Sequence, residues 1–390
     1  MNNIKAIDKE YVAATYGRFD LTLTHGKGSL VYDECGKEYI DLSTGIAVNT
    51  FGIADDAWIA AITEQASKIQ HASNLYYTEP GARLAKLLCE RTGAGKVFFS
   101  NSGAEANECA IKCARLWAEK NKGADYYNII TLKNGFHGRT VTTLAATGQD
   151  VFHEHFTPMT EGFLYAEANS LDAIKALVSE NKCAAIMMEP VQGEGGVMPL
   201  DADYVRGVCD FAAKNDLLII FDEVQTGNGR SGYLYAYEHF GVKPDILSTA
   251  KGLAGGLPIG ATLFFEKCKD VFTPGLHGST FGANPVSCAA ALSVIERIDD
   301  ALLGEVRAKS EYIFSELRGA EGVKSVSGLG LMIGIETVGD ASVIISECMK
   351  AGILPIKAKN KVRLLPALNI PFALLEKAVG IIKKVVKENK

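Results

Sequence analysis

The sequence predicts an α/β fold in which a mostly parallel sheet presents a site at the carboxyl ends of its strands. Two observations lead to this prediction. Apolar runs that read as buried strands alternate with helix-like patterns up to about Phe265, as in sheets whose parallel strands are joined by crossover helices. Four of these runs end in polar or charged residues. Because ligands bind beyond the carboxyl ends of such strands, the four ends are candidate parts of one site.

The order of the predicted elements divides the 390 residues into three parts. Residues 1–48 form an N-terminal arm and part of a small domain, with a short hairpin around Gly28 to Asp41. Residues 49–277 form the large domain, which contains the alternating strands and helices. Residues 278–390 form a smaller α+β domain. A helix over Pro285–Ile298 is predicted to link the large and small domains. The predicted elements of the small domain are strands over Val323–Ser327 and Leu331–Glu336 and a last helix over Leu374–Glu388.

A candidate anion-binding turn follows the first strand end. Lys96–Phe99 reads as a strand, and Ser100 to Asn107 leads into a run whose apolar residues lie on one helix face. Gly103 lets the backbone approach an anion closely, and the free N–H groups at the start of the helix point toward it with the positive end of the dipole. Ser102 and Glu105 also fit a capping box, which would explain this turn without any ligand.

The second and third strand ends carry an aromatic residue, an arginine and a carboxylate. After the apolar stretch Asn128–Leu132, Phe136 can stack on a flat ring, and Arg139 offers a planar pair of donors for a carboxylate. A surface loop that contains one arginine is the alternative interpretation. After the apolar stretch Ala184–Met188, a glycine-rich loop from Glu189 to Gly196 begins with a carboxylate.

The fourth strand end supplies an acid, and the next apolar run ends in a lysine. Leu217–Phe221 carries no charge, so Asp222 emerges at the carboxyl end of a buried strand. The run Asp245–Ala250 delivers Lys251, whose poor hydration should lower its pKa and favour the neutral amine that attacks carbonyl groups. A carboxylate near such a lysine suits the pyridine nitrogen of pyridoxal phosphate. A helix-capping aspartate and a surface lysine are the alternative.

Two short motifs indicate other functions. Gly227 to Gly232 matches the glycine pattern of dinucleotide-binding folds, with Asp245 downstream. However, Asp222 to Thr226 separates these glycines from the strand, whereas a dinucleotide fold turns directly from the strand at its first glycine. Ser248 and Lys251 match the serine and lysine of some acyl-enzymes, but the partner motifs are absent from the sequence. A silent sensor fused to a DNA-binding module is disfavoured, because no basic helix-turn-helix segment is left over.

Composition argues against several classes of partner. A net charge of −6 argues against nucleic acid. No apolar run reaches membrane-spanning length, and Met1–Asp8 lacks the apolar core of a signal peptide, so we expect a cytoplasmic protein. The nine cysteines include no C-x-x-C pair, and most are predicted to be reduced core residues. Cys109 and Cys113 have no histidine near them in sequence, and His153 and His155 lack an identifiable partner, so no metal is predicted.

Together these segments resemble the class III, or omega, aminotransferases of pyridoxal-phosphate fold type I over nearly the whole chain. The matching segments are Asp41–Asn49, Ser100–Asn107, Phe136–Thr140, Glu189–Gly196, Asp222–Gly227, Ala250–Lys251, His277–Gly282 and Arg363–Pro366. One match would be weak evidence, but the set in this order is specific. The resemblance implies a large domain with a mostly parallel seven-stranded sheet plus a smaller α+β domain. Within the family it is closest to the acetylornithine aminotransferases.

The resemblance also implies a role for each candidate residue. Lys251 would bond to the aldehyde of pyridoxal 5′-phosphate and carry the proton, while Asp222 would pair with the pyridine nitrogen. Phe136 would cover one ring face, and Gln225 would lie near the ring hydroxyl. The implied cofactor-binding set is Ser102, Gly103, Ala104, Phe136, Asp222, Glu223, Val224, Gln225, Lys251 and Thr280. Ala104 stands where the family often has threonine, which removes a hydroxyl contact to the phosphate but keeps the backbone N–H.

A homodimer with its active site at the subunit interface is implied as well. Thr280 would reach the phosphate of the neighbouring subunit's cofactor, and Ser279 would adjoin the substrate. The site is therefore expected to be complete only in the dimer.

The resemblance implies transfer of the terminal amino group of N2-acetylornithine to 2-oxoglutarate, giving N-acetylglutamate semialdehyde and glutamate in arginine biosynthesis. Arg139 would bind the carboxylate of the acylated amino acid, and Arg363 the α-carboxylate of glutamate. Glu194 would pair with Arg363 when the longer substrate is bound. Gly45 leaves room for an acyl group where relatives that use ornithine carry tyrosine. Succinylornithine, succinyl-diaminopimelate, ornithine and 4-aminobutyrate are alternative amines, and an NAD-binding oxidoreductase is the alternative from another class.

Overall fold

The computed structural model describes residues 4–390, so the part of the N-terminal prediction that falls on Met1–Asn3 lies outside the described residues. The right-handed helices are α1 (Ile4–Tyr11), α2 (Asp56–Ala66), α3 (Glu79–Thr92), α4 (Gly103–Asn121), α5 (Val141–Ala146), α6 (Leu171–Glu180), α7 (Ala202–Lys214), α8 (Tyr237–Phe240), α9 (Pro285–Ile295), α10 (Asp300–Leu317), α11 (Ala341–Lys350) and α12 (Phe372–Glu388). Short 3₁₀ helices cover Asp150–Phe152 and Lys251–Leu253. Within residues 4–390, no helix has the length and apolar character needed to span a bilayer.

The strands within residues 4–390 form four sheets. In chain order they are β1 (Leu23–Lys27), β2 (Leu30–Asp33), β3 (Glu38–Asp41), β4 (Lys96–Ser100), β5 (Asn128–Leu132), β6 (Phe163–Ala166), β7 (Cys183–Met188), β8 (Val191–Gln192), β9 (Met198–Pro199), β10 (Leu218–Asp222), β11 (Ile246–Thr249), β12 (Gly260–Phe264), β13 (Val323–Leu329), β14 (Met332–Thr337), β15 (Ile353–Leu354), β16 (Ile356–Ala358) and β17 (Lys361–Leu364). The largest sheet has seven strands in the order β4-β12-β11-β10-β7-β5-β6.

The seven-stranded sheet confirms the predicted fold class. Only β12 runs antiparallel to its neighbours, β11 and β4, and the other pairings are parallel. Every residue of β7 and β10 is buried, because helices cover both faces of the sheet. Helix α4 packs on one face through Cys109, Cys113 and Trp117, whereas α3, α6, α7 and α9 lie on the other. The strand ends that carry polar residues are thereby brought to one edge.

A second core belongs to the smaller α+β unit. Its antiparallel sheet has the order β13-β14-β17-β16, and helices α10, α11 and α12 pack against it through residues such as Ile313, Ile345 and Ile382. The N-terminal hairpin joins this unit, because β3 pairs in parallel with β15. Residues from the two ends of the chain therefore share one structural unit.

Helix α9 lies in the core of the large unit. Cys288 and Ile295 are buried with the residues beneath the seven-stranded sheet, and so is Leu303 at the start of α10, whereas Val306 lies in the second core. By packing, the large unit continues to about residue 303, beyond the boundary predicted between residues 277 and 278. The sequence does not indicate this, because α9 is apolar on nearly all sides and so does not show which core it joins.

A left-handed turn over residues 44–47 replaces ordinary helix near the N-terminal hairpin. The φ angles of Thr44, Gly45, Ile46 and Ala47 are 47°, 62°, 64° and 61°. Such a conformation costs roughly 1–2 kcal/mol for each residue other than glycine. The Thr44 hydroxyl donates to the Leu365 carbonyl oxygen at 2.6 Å, which ties the strained turn to the end of β17.

Arg230 joins the two units across a buried contact. Its side chain is 3% exposed, and Nη1 donates to the carbonyl oxygens of Leu331 at 3.1 Å and Pro366 at 2.5 Å. Burial lowers the pKa of Arg230 to about 9. The Leu331 N–H donates back to the Arg230 carbonyl oxygen at 2.9 Å. The small unit, which carries Arg363 on β17, is thereby held in one orientation against the large sheet.

Gly330→Ala should lower the free energy of unfolding by about 3 kcal/mol, through overpacking at this contact added to left-handed strain. Gly330 has a φ of +58°, and a Cβ there would lie 2.3 Å from the carbonyl carbon of Ser231. Gly319→Ala is the matched control, because its φ is +76° and a Cβ would meet nothing within 4 Å. Strain alone should cost the control about 1 kcal/mol. Denaturant titration measures the free energy of unfolding of both variants. Equal decreases in the two variants would contradict the close contact at Gly330.

Candidate active site

The polar strand ends surround one cavity of about 400 Å³ at the carboxyl edge of the large sheet. The predicted site residues that line it are Ser102, Gly103, Ala104, Phe136, Arg139, Asp222, Val224, Gln225 and Lys251. They come from segments that are far apart in sequence and follow β4, β5, β10 and β11. The structure thus brings the predicted anion turn, aromatic residue, acid and amine together.

Asp222 is the last residue of β10 and is 3% exposed. One carboxylate oxygen, Oδ2, accepts hydrogen bonds from His137 Nδ1 at 2.8 Å and from Asn107 Nδ2 at 2.7 Å. The other, Oδ1, accepts from the Val224 N–H at 3.0 Å. Burial lowers the pKa of His137, but the hydrogen bond and charge of Asp222 outweigh it, so the pKa lies above its usual value. These donors stabilise a negative charge that faces the cavity.

Lys251 also lines the cavity, and burial lowers the pKa of its amine. The backbone of Lys251 is left-handed, with a φ of +45°, and neighbouring side chains hold it there. Asn228 Nδ2 donates to the Ala250 carbonyl oxygen at 3.1 Å, and the Thr50 hydroxyl donates to the Gly252 carbonyl oxygen at 2.8 Å. The residues on either side of the lysine are therefore fixed, which directs a partly desolvated amine into the cavity.

The anion turn has the predicted strand, turn and helix. Ser102 caps α4, because its hydroxyl accepts the Glu105 N–H at 3.2 Å. The reciprocal half of a capping box is absent from these contacts, since Glu105 instead accepts the Asn101 N–H at 2.6 Å. A Cβ on Gly103 would lie 2.6 Å from Val224 Cγ1, so only glycine lets the helix start approach the loop after Asp222 this closely. The first N–H groups of the helix have no intrahelical acceptor and suit an anion.

Glu189, at the end of β7, positions the aromatic wall of the cavity. Its Oε1 accepts the Phe136 N–H at 2.8 Å, and its Oε2 accepts the Gly193 N–H at 3.2 Å. Burial raises the pKa of Glu189 to about 7. The carboxyl group therefore holds together the loop that carries Phe136 and the glycine-rich loop after β7.

Arg363 and Glu194 form an ion pair one side chain beyond the cavity wall. Arg363 is 2% exposed, and its Nη1 donates to Glu194 Oε1 at 2.6 Å and to Gln225 Oε1 at 3.1 Å. Nη2 donates to Glu194 Oε2 at 3.4 Å. Burial raises the pKa of Glu194, but Arg363 outweighs it, so the pKa of Glu194 lies below its usual value. The guanidinium is thereby neutralised by a side chain that is itself one-third exposed.

The guanidinium of Arg139 differs from that of Arg363 in its exposure and in its partners. It lines the cavity, its side chain is exposed, and no hydrogen bond or ion pair to it is found within residues 4–390. Its Cζ lies 5.5 Å from the centre of the Phe136 ring. Arg139 is therefore available to an incoming carboxylate, whereas Arg363 already has a carboxylate partner.

Besides Glu194 and Arg363, three further predicted residues do not line the cavity. Glu223 points away from it, because its buried carboxylate accepts from the Thr226 hydroxyl and from the N–H groups of Ala236 and Tyr237 at 2.6–2.8 Å. Its expected cofactor contact is thus incorrect for the side chain. Ser279 and Thr280 line neighbouring surface cavities instead, although Asn101 Nδ2 lies 3.2 Å from the Ser279 hydroxyl.

The two competing motifs have structural roles. Residues 227–232 form a series of turns rather than the start of a helix, and they supply Asn228 and Arg230 to the contacts described above. Ser248 is fully buried and donates to Asn107 Oδ1 at 2.5 Å, so it does not face Lys251 as a nucleophile would. No group of three or more potential metal ligands occurs within residues 4–390.

Sequence reasoning missed Asn107, His137 and Asn228 as positioning residues. His137 and Asn107 both contact Asp222, although they lie 85 and 115 residues from it in sequence. The sequence gives only a weak indication of these roles. Asn107 and His137 are polar residues that stand where a buried residue is expected. In the sequence, Asn228 stands out only as part of the glycine pattern over residues 227–232.

A comparison with protein families identifies the chain. The model of the class III aminotransferases matches residues 11–386. The chain belongs to the class III aminotransferases. As a class III aminotransferase it is an enzyme with transaminase chemistry, and its cofactor is pyridoxal 5′-phosphate.

Relatives of this aminotransferase match it over nearly its whole length. It is 49% identical to an acetylornithine aminotransferase of Haemophilus ducreyi, with 99% of each chain covered. It is 44% identical to a succinylornithine transaminase of Citrobacter koseri, with 93% of this chain and 91% of the relative covered. Among solved structures, an ornithine aminotransferase from Toxoplasma gondii with partial occupancy of PLP matches with a TM-score of 0.94 at 30% identity, covering 99% of this chain and 94% of that one.

The donor set of the cavity fits the cofactor of the aminotransferase. The cofactor presents an aldehyde, a pyridine nitrogen, a flat ring and a phosphate. The cavity presents, in turn, the buried amine of Lys251, the carboxylate of Asp222, the ring of Phe136 and the start of α4. Each of these groups is of the chemical type that would suit the corresponding part of the cofactor.

Lys251→Ala should reduce transamination below detection, because no other amine lines the cavity among the described residues. Steady-state turnover of an amine with 2-oxoglutarate measures the effect, and visible absorbance measures cofactor content. Lys309→Met is the control, since Lys309 is also buried but donates to the Leu368 carbonyl oxygen at 2.9 Å, away from the cavity. The control should keep most of its turnover per folded molecule. Retained turnover in Lys251→Ala would remove Lys251 from its proposed role.

Proposed function

We propose that the protein transfers the terminal amino group of N2-acetylornithine to 2-oxoglutarate, giving N-acetylglutamate semialdehyde and glutamate, as a step of arginine biosynthesis. One observation carries the proposal: the two arginines of the site are in opposite states, with Arg139 open and Arg363 paired to Glu194. The 49% identity to an acetylornithine aminotransferase over the full chain supports the same assignment.

An enzyme with two unlike substrates needs one carboxylate contact that both share and one that only the shorter substrate uses. Arg139 serves as the shared contact, because it has no carboxylate partner among the described residues. Arg363 serves glutamate and 2-oxoglutarate, whose second carboxylate displaces Glu194. When the longer amine is bound, Glu194 stays in place, and a buried guanidinium is not left unpaired.

Gly45 supports an acylated amine as the first substrate. It lies in the left-handed turn that leads to Val48, a residue of the cavity wall. A Cβ on Gly45 would meet nothing closer than 3.7 Å, so the glycine leaves free space at this position. Its φ of +62° also favours glycine over residues with a side chain. The free space accommodates an acyl group beyond the substrate's α-nitrogen.

Lys251 and Asp222 have separate roles in the proposed reaction. Pyridoxal phosphate supplies the electron sink that accepts the charge released when a substrate carbon loses its proton. Lys251 Nζ, with its lowered pKa, would take that proton as a neutral amine and would give it back to the carbon of the cofactor that carries the aldehyde, so that the base is regenerated. Asp222 would keep the pyridine nitrogen of the cofactor protonated, and His137 and Asn107 hold Asp222 in position.

We also propose that the enzyme is a cytoplasmic homodimer whose active site lies at the subunit interface. Thr280 and Ser279 would then serve the neighbouring subunit's site, which fits their position outside this chain's own cavity. Leu75, Tyr76 and Tyr77 support an interface, because they are 83%, 73% and 106% exposed in the single chain. All nine cysteines are free thiols, which supports a reducing compartment.

Succinylornithine is the second candidate amine, supported by the 44% identity to the Citrobacter koseri transaminase. Both acylated amines present the same reacting group and the same α-carboxylate, so Arg139 does not distinguish them. A succinyl group adds a second carboxylate to the acyl end.

Steady-state assays with N2-acetylornithine, succinylornithine, ornithine and 4-aminobutyrate as donors to 2-oxoglutarate test the proposed substrate. We expect the highest kcat/KM for N2-acetylornithine, because the space at Gly45 is filled only by an acylated amine. Gly45→Tyr should reverse this order in favour of ornithine. A higher kcat/KM for ornithine or 4-aminobutyrate in the unmodified enzyme would overturn the proposal.

Arg363→Ala should slow the half-reaction with glutamate by roughly 10- to 100-fold through loss of a bidentate contact, and the half-reaction with N2-acetylornithine less. Arg139→Ala should impair both halves, because both substrates use it. Single-turnover absorbance changes measure each half separately. If Arg363→Ala slowed the two halves equally, the exchange of Glu194 for a substrate carboxylate would be wrong.

A further inference from the structure

The open guanidinium of Arg139 lies against two aromatic rings. Its Cζ is 4.3 Å from the centre of the Phe152 ring and 5.5 Å from that of Phe136. The two rings are 5.8 Å apart and nearly perpendicular, at 66°. Phe136 belongs to the cavity wall, but Phe152 comes from a 3₁₀ helix outside it. Phe152 makes the closer of the two contacts with the guanidinium.

We propose that Phe152 is a positioning residue for substrate recognition, which holds Arg139 so that its N–H groups meet the substrate carboxylate. The inference rests on the proposed function, in which Arg139 binds the carboxylate common to both substrates. Phe152 is not among the residues that line the cavity, so we assign it a positioning role through Arg139 and no direct contact with the substrate.

A ring is suited to this task because of the shape of the guanidinium. Its N–H groups point outward in the plane, whereas its faces are weakly hydrated and attracted to aromatic rings. A carboxylate partner in the protein would occupy the N–H groups that the substrate needs. The Phe152 ring occupies none of them, so it can restrict the orientation of Arg139 and leave the donors free.

The position of Phe152 is fixed by the same loop that carries Phe136. Gln149 Nε2 donates to the Gly135 carbonyl oxygen at 3.1 Å, and the Phe152 N–H donates to the Gln149 carbonyl oxygen at 3.0 Å. The Asn134 N–H also donates to the Gly148 carbonyl oxygen at 2.7 Å. Residues 148–152 and 134–136 are thus joined at several points, and both rings keep their places beside Arg139.

Arg363 illustrates the other way to hold a guanidinium. Its Nη1 and Nη2 donate to Glu194, so the substrate must displace a protein carboxylate before it can bind. Arg139 needs no such exchange. Because Arg139 is held by rings and not by a carboxylate, its N–H groups are always available to a substrate. Those of Arg363 become available only when a substrate carboxylate displaces Glu194.

Phe152→Leu should raise the half-saturation concentration for N2-acetylornithine and for 2-oxoglutarate by about 3- to 30-fold, the range expected for a lost cation–π contact. The maximal single-turnover rate of each half should change less than threefold, because the reacting groups around Lys251 are untouched. Phe152→Tyr keeps the ring, so its half-saturation concentrations for both substrates should stay close to those of the unmodified enzyme. Phe156→Leu is the matched control: this nearby phenylalanine is 70% exposed, and its ring packs on His155 instead.

A double-mutant cycle with Arg139→Ala separates positioning from a general structural effect. If the ring acts through Arg139, adding Phe152→Leu to Arg139→Ala should change the half-saturation concentrations less than twofold. An equal fold-change in both backgrounds would overturn the inference, as would an unchanged half-saturation concentration in Phe152→Leu alone. An Arg139→Ala variant with unaltered substrate binding would instead overturn the proposed carboxylate contact itself. The two failures are therefore distinguishable.

Discussion

The rest of this structure depends on the pairing of buried charges in and beside the cavity at the carboxyl edge of the large sheet. Asp222 is buried, and its carboxylate is held by donors from His137, Asn107 and the backbone of Val224. Arg363 is equally buried and is neutralised by Glu194. Removing one member of such a pair costs several kcal/mol, because the other is left as an uncompensated charge. The fold therefore brings residues from both of its units to one edge of the sheet in a fixed arrangement.

Fixing the site requires backbone that is unfavourable by itself. Lys251 and the turn over residues 44–47 adopt left-handed conformations, and each is held by hydrogen bonds from distant segments. The contact through Arg230 ties the small unit to the large one and sets the position of β17. Strain of this kind persists where the surroundings over-determine the conformation, which is common at functional sites. The burial of apolar side chains in two large hydrophobic cores offsets the cost of this backbone strain.

Much of the fold and of the site could be predicted from local pattern. The parallel strands, the turn before α4 and the convergence of Asp222, Phe136 and Lys251 followed from apolar runs that end in polar residues. The prediction failed where neighbouring residues in sequence face opposite ways in space. Glu223 follows Asp222 directly, yet its carboxylate bonds to the segment around Tyr237 and not to the cavity. Helix α9, predicted to link the two domains, packs in the core of the large unit, because an all-apolar helix does not indicate its partner.

The sequence by itself determined the fold class, the family and the chemical groups at each strand end, because these depend on periodicity and on residue type at short spacing. Only the tertiary structure decided which groups are paired and which are open. Arg139 and Arg363 are indistinguishable as letters in the sequence. In the structure one lies against Phe136 and Phe152 with its donors free, and the other is bound by Glu194 and Gln225. The physical reason is that pairing depends on distances between side chains that are tens to hundreds of residues apart, which no local pattern specifies.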